Sequence, residues 1–230
     1  YSTPIEYAST APYVATHKKR CMTNRRGRGR PSEPDTDTSA AIAGAALHRF
    51  AARGFEATSL REIAHDAGVD VALISYRFGG KLGLWKAIVS QAADDLRRAL
   101  DRALRESAAA SAQERLAHSA RAFLAYQLDR PEVPRLLLRD ITIDSDRSQW
   151  LLDTLSLPLH RHFIELAQAA AEERSAAPRH LQLRVANFIY SAASTVARRE
   201  RLGKLVDGIG DDADFAAALE DTLIEGALLP

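Results

Sequence analysis

Residues 58–81 read T-S-L-R-E-I-A-H-D-A-G-V-D-V-A-L-I-S-Y-R-F-G-G-K, two short helical patterns joined by a tight turn at Gly68 and Val69. Ser59 and Glu62, three apart, have the spacing of a capping box. Leu60, Ile63, Ala64 and Ala67 then form the apolar stripe of a first helix. Gly68 tolerates the left-handed conformation that ends it, Val69 plugs the turn, and Asp70 caps a second helix over about 71–77. Ile74 and Phe78, four apart, face inward, which leaves Val71, Ala72, Ser75, Tyr76 and Arg77 as the outward positions. The pattern predicts a helix-turn-helix whose second helix is sized for the major groove of duplex DNA. A capped helix pair can also be a plain corner of an all-helical protein, so spacing alone leaves both readings open.

Working outward, residues 41–55 form an amphipathic helix with Ile42, Ala46 and Phe50 on one face. Gly54 stands at its end, and Phe55 is placed for the hydrophobic contact beyond. Taken together, Phe50-Ala-x-Arg-Gly54-Phe55-x-x-Thr58-Ser-x-x-x-Ile63-Ala64-x-x-Ala67-Gly68-Val69 and Leu73-Ile74-x-Tyr76-x-Phe78-Gly79-x-Lys81-x-x-Leu84 closely resemble the N-terminal domain of TetR-type transcriptional regulators. The resemblance covers residues 39–90.

The resemblance implies that Ala72, Ser75, Tyr76 and Arg77 contact bases or phosphates, with the Tyr76 hydroxyl on the backbone. Lys81 matches a lysine that grips a phosphate at a helix N-terminus. Arg61 would touch the backbone, and Ser59 and Val71 complete the expected DNA-facing set. Val71, Ser75 and Arg77 depart from residues common in the family. An arginine at 77 can bond bidentately to guanine O6 and N7, so a sequence preference different from that of relatives bearing histidine is expected.

The chain has 230 residues, 46 % hydrophobic and 27 % charged. Helical periodicity runs almost unbroken from Ser39, with no convincing period-two stretch. The fold class is therefore all-α, and the resemblance implies a three-helix helix-turn-helix domain followed by a larger helical effector-binding and dimerisation domain. The domain limits expected are 1–38 for a disordered basic arm, 39–86 for the DNA-binding domain and 87–230 for the remainder. Further helices are expected over 112–129, 131–143, 148–155, 158–174, 178–201 and 212–228, after a long connector reaching toward Ala110. Prolines 131, 158 and 178 suit first-turn positions.

From Lys18 to Arg30 there are seven basic residues and no acidic one. The rest of the chain holds 24 basic against 30 acidic residues, a formal charge of −6. Arg26-Gly-Arg28-Gly-Arg30-Pro resembles the core of an AT-hook, which predicts that Arg28 and Arg30 enter a narrow minor groove; a solvated tail is the plainer alternative. Met22 is the single methionine and opens a plausible native start, which would leave residues 1–21 as a non-native extension. The lone Cys21 excludes a disulfide framework within one chain. With no signal-peptide or membrane-span pattern, a cytoplasmic, nucleoid-associated setting is expected.

In the family the C-terminal half holds a small-molecule effector in an apolar cavity, and its last two long helices pair with a second subunit. The effector-lining candidates are Phe123, Tyr126, Leu136, Arg139, Trp150, Phe163 and Phe188. Arg139 is expected to be buried and to take Asp140 or an anionic effector as its partner. Leu181, Val185, Phe188, Ile189, Ala192 and Ala193 form a small-residue stripe, and Phe215, Leu219, Leu223 and Ala227 a second. These are the expected dimer faces, with intrachain core as the alternative. Two copies on a two-fold axis would read a near-palindromic operator.

His160 and His162 lie two apart on a helix and so face different ways; they are expected to be solvated rather than metal ligands. No catalytic motif, cofactor or metal site is expected. These readings point to a DNA-binding regulator, a repressor released by effector. The alternative is a helical ligand carrier or enzyme whose helix-turn-helix is only structural. A second rival is a nucleoid-type binder that relies on the arm.

Overall fold

The computed structural model describes residues 35–141, 145–175 and 179–228, and all of their secondary structure is helical. The expectations for Arg28, Arg30, Cys21, Met22 and the basic arm lie outside the described residues. Helix α1 spans Asp35–Arg53, α2 Leu60–Ala67, α3 Val71–Phe78 and α4 Lys81–Glu106. Then follow α5 Ala112–Asp129, α6 Glu132–Ile141, α7 Asp146–Leu151, α8 Leu157–Glu173, α9 Leu181–Ala197, α10 Arg199–Leu202 and α11 Asp212–Leu219. Helix α1 starts at Asp35, inside the 1–38 segment expected to be unstructured.

Local chemistry accounts for the breaks. The Ser59 backbone N–H donates to Glu62 Oε2 at 2.9 Å, and the Ser59 hydroxyl accepts from the Glu62 N–H at 3.3 Å. Gly68, at φ 65°, closes α2 while the Val69 N–H reaches back to the Ala64 carbonyl at 3.0 Å, the geometry of a Schellman end. Asp70 caps α3 through the Ala72 N–H at 2.7 Å. Ser111 with Glu114 repeats the capping box at α5.

Two stretches are π-helical. Leu152–Ser156 joins α7 to α8 without a break, and Glu220–Leu228 prolongs α11. Neither is visible in the hydrophobic period, because a widened turn shifts the face that follows it. The segment expected over 148–155 is thus the end of α7 plus this π-turn.

Two cores form. One gathers Ile42, Ala46, Phe50, Ile63, Ile74, Leu84 and Trp85, with Val69 packed against it. Leu136 of α6 and Leu151 of α7 complete this core, so it draws on side chains beyond the expected boundary at residue 86. The other centres on Phe123, Phe163 and Phe188, whose rings lie 5.4–5.7 Å apart. Val185, Phe188, Ile189 and Ala192 are buried in it, as are Phe215 and Leu219. These members of the stripes expected to meet a second subunit are intrachain core, while Leu181, Ala193, Leu223 and Ala227 are half-buried. What α9 leaves outside is Leu183, 59 % exposed, with Asn187 and Tyr190.

Candidate nucleic-acid interface

Helix α3 presents one clean exposed face. Ala72, Ser75 and Tyr76 are exposed, and Tyr76 at 88 % is the most exposed large hydrophobic side chain among the described residues. Its ring stands on a short helix capped at both ends, by Asp70 and Gly79, which fixes the direction in which it projects. Ser59 and Arg61, on α2, are exposed as well.

Three expected contacts sit differently. Val71 is half-buried and packs on the first core, so its side chain is part of the scaffold. Arg77 is half-buried, and its Nη1 donates to Ser39 Oγ of α1 at 2.6 Å. Lys81 turns inward: its Nζ donates to the carbonyls of Thr58 and Glu56 at 2.9 and 3.3 Å and stands 4.4 Å from the Phe55 ring centre. These two cations hold the α1–α2 turn and the start of α1 against α3 and α4. A heptad-free, alanine-rich surface gives no sign of that from spacing alone.

The platform beneath α3 is an ionic mesh. Arg49 of α1 donates to both Asp66 oxygens and to Glu62, the latter at 2.9 Å, and Arg53 adds a second bond to Glu62 at 2.9 Å. The hydrogen bonds from Arg49 pull the Asp66 carboxyl down to about 2, and the Ser59 backbone N–H holds Glu62 below the usual carboxylate range. Gly83, which carries no sequence signal of its own, lets α4 close on α3. A Cβ there would stand 1.7 Å from the Phe78 carbonyl oxygen.

Helices α4, α5, α6, α8 and α9 enclose a narrow cavity of about 50 Å³. Of the expected lining residues, Phe123 and Tyr126 are on its wall. Tyr126 donates its hydroxyl to the Ala92 carbonyl at 2.9 Å, and burial pushes its pKa up. Phe163 and Phe188 lie behind Phe123 as core. Leu136 and Trp150 belong to the other core, where Trp150 meets Trp85 edge-on at 5.6 Å.

Arg139 corrects the expectation most sharply. It is exposed, and it donates to the Ala52 carbonyl at the end of α1 at 3.1 Å. Asp140 is the buried member, and its partner is Arg147 at 3.0 Å. The two are only seven residues apart but stand on different helices, α6 and α7, so helical spacing gives no sign of the pair. The histidines differ too. His160 is half-buried on the cavity wall, its Nδ1 2.7 Å from the Ser156 carbonyl. His162 is half-buried against Phe163, and burial holds it below the usual histidine range.

Helix α6 lies between these parts. Val133, Pro134, Leu137, Leu138 and Ile141 line the cavity. The same helix packs on α1 and reaches its last turn through Arg139.

Comparisons with known proteins agree with this arrangement. Residues 42–88 match the model of the bacterial regulatory proteins of the tetR family. A Bacillus subtilis (strain 168) protein named "Probable HTH-type transcriptional regulator YttP" is 32 % identical over 149 residues, 65 % of this chain and 70 % of that protein. Among solved structures, a TetR-like transcriptional regulator from Rhodococcus sp. RHA1 is similar at TM-score 0.63 and 18 % identity, over 85 % of this chain and 98 % of that one. The fatty acid degradation regulator FadR from Bacillus halodurans is similar at TM-score 0.62 and 14 % identity, over 82 % and 95 %. A capped helix-turn-helix with an open reading face, joined through α4 and α6 to a helical body, places the chain in the TetR family of DNA-binding transcriptional regulators.

Proposed function

We propose that the protein is a homodimeric repressor whose operator complex is loosened when a small molecule enters the α4–α9 cavity. The observation that carries this reading is the position of α6, which is at once a wall of the cavity and a clamp on α1. A space of about 50 Å³ holds roughly one or two waters. Any larger guest must push a wall aside, and α6, like α4, is a wall joined to the DNA-binding domain. Opening and operator release are then linked through differential affinity for two arrangements.

Ala72, Ser75 and Tyr76 would enter the major groove, with Ser59 and Arg61 on flanking phosphates. Lys81 and Arg77 would position the reading helix, and either would reach DNA only by leaving its present partners. Arg28 and Arg30 of the basic arm would add minor-groove contacts. The outward face of α9 around Leu183, Asn187 and Tyr190 would meet the second copy. Half-sites of a near-palindrome would lie about 34 Å apart or a multiple of it. A cytoplasmic, nucleoid-associated location goes with this role, and no enzymatic step is assigned.

The test is a gel shift with the DNA upstream of the chain's own gene, with and without extracts or compounds that bind the cavity. Weaker retardation with compound is expected. Unchanged or tighter retardation would reject effector-released repression, the latter in favour of activation.

A further inference from the structure

We propose that the cavity is built for an uncharged, largely apolar molecule bearing a hydroxyl, which donates its hydrogen bond to His160 Nε2. This rests on the effector reading above and specifies its ligand. Among the described residues, no Asp, Glu, Lys or Arg lines the cavity. Phe123, Leu96, Leu159 and Ile189 form its depth, an environment in which an unpaired carboxylate is strongly disfavoured. The adjoining outer cleft shares Leu96, Leu155 and Leu159 with the cavity and contains Arg97. That guanidinium is already flanked by Asp94 and Asp101 at 3.4 and 3.6 Å. A carboxylate head group would find no uncommitted cation there either.

Of the polar groups on the wall, the Gln127 amide and the Tyr190 hydroxyl can donate or accept, whereas the senses of His160 and Tyr126 follow from their bonds. A carbonyl oxygen only accepts, so the 2.7 Å contact between His160 Nδ1 and the Ser156 carbonyl puts a proton on Nδ1. In the Nδ1–H tautomer the other ring nitrogen, Nε2, is an acceptor. The Tyr126 hydroxyl donates its proton to the Ala92 carbonyl and has none left to donate to a guest. The Tyr190 ring lies 5.5 Å from that of His160 and is partly open to solvent, which marks the end of the cavity where a polar head can stay. The ring of His160 owes its pose to the π-turn at Leu152–Ser156: the Leu157 N–H bonds back to Leu152, and Leu155 and Ser156 are on the cavity wall.

The probes are 1-alkanols of about eight to twelve carbons, alkanoates of matching length and the corresponding methyl ethers, ligands that exceed the closed cavity of about 50 Å³ and must open it toward the size usual for ligand pockets. Binding to the full chain is measured by calorimetry, and operator release is measured separately by gel shift. The alkanol is expected to bind at least roughly tenfold more tightly than both the carboxylate and the ether, about the loss of one buried hydrogen bond. His160→Phe should erase the alkanol's advantage over the ether, and His160→Gln, which keeps an acceptor, should restore part of it. Equal or tighter binding of the carboxylate or of the ether overturns the proposal, as does no binding by any probe. The ether comparison uses the unaltered protein, so it stands even if a His160 variant misfolds. Alkanol binding that leaves the operator complex unchanged supports the ligand class and rejects effector-released repression instead.

Discussion

Arg147 donates from both Nε and Nη2 to one carboxylate oxygen of Asp140, at 3.2 and 3.0 Å. Its third nitrogen reaches Glu56 at 2.9 Å, and its guanidinium stands 4.0 Å from the Phe55 ring centre. Asp140 belongs to α6, whereas Phe55 and Glu56 form the turn between α1 and α2, so one side chain pins the helical body to the DNA-binding domain.

Asp140 is 3 % exposed, and removing the cation paired with it would leave a buried charge without Arg147. Arg147→Met is expected to cost about 3 kcal/mol, measured by urea unfolding. Adding Asp140→Leu should recover much of that loss, because the stranded charge goes with it. A single-variant loss under about 1 kcal/mol would show that water already screens the pair.

Arg139→Met removes the bond to the Ala52 carbonyl but leaves the cavity wall alone. Cavity ligands should bind it as before, while their effect on operator affinity shrinks severalfold. Calorimetry paired with gel shifts separates the two quantities; a variant that loses both together would assign Arg139 to the cavity instead.

Tyr76→Ala should lower operator affinity by roughly tenfold or more, the scale of one lost groove contact, with thermal stability unchanged, since the ring packs on nothing. Tyr76→Phe isolates the hydroxyl. Full operator binding by the alanine variant would move the reading face elsewhere.

Gly83 sits inside α4, where alanine would ordinarily stabilise a helix by about 1 kcal/mol. Here the added methyl would meet the backbone of Phe78, so Gly83→Ala is expected to destabilise by about 2 kcal/mol or more and to impair DNA binding. Differential scanning calorimetry gives the sign directly.

Acid should loosen the domain through Asp66. Its folded-state carboxyl is held at about 2 by hydrogen bonds from Arg49, below its unfolded value. The unfolded chain therefore takes up the proton first, and the stabilisation, complete above about pH 4, is lost as the pH falls toward 2. Urea midpoints of the native chain and of Asp66→Asn should differ at pH 5 and converge near pH 2. A gap that persists at pH 2 would mean that Asp66 acts through packing rather than charge.

The helix-turn-helix was legible because its determinants are local. Ser59, Glu62, Gly68 and Asp70 each act on a backbone group within five residues, and Ile42, Ala46 and Phe50 show their period directly. What escaped depends on contacts far apart in the chain. The Arg147 link to Glu56 spans 91 residues and that of Arg139 to Ala52 spans 87. The stripe on α9 has the same spacing whether it faces a partner or its own core, and only the fold decides. The cavity was missed in part because a π-turn rotates Leu155 and Ser156 out of the expected register.

Helix α4 is a continuous rod of 26 residues, about 39 Å from end to end at 1.5 Å per residue. Its first turn abuts α3, and its middle forms one side of the cavity. A rod of that length swinging by about 5° carries its tip about 3.4 Å, the rise of one base pair. In the proposed repressor, displacements too slight to disturb a packed interior would thus become, at the far end, a whole step along the duplex.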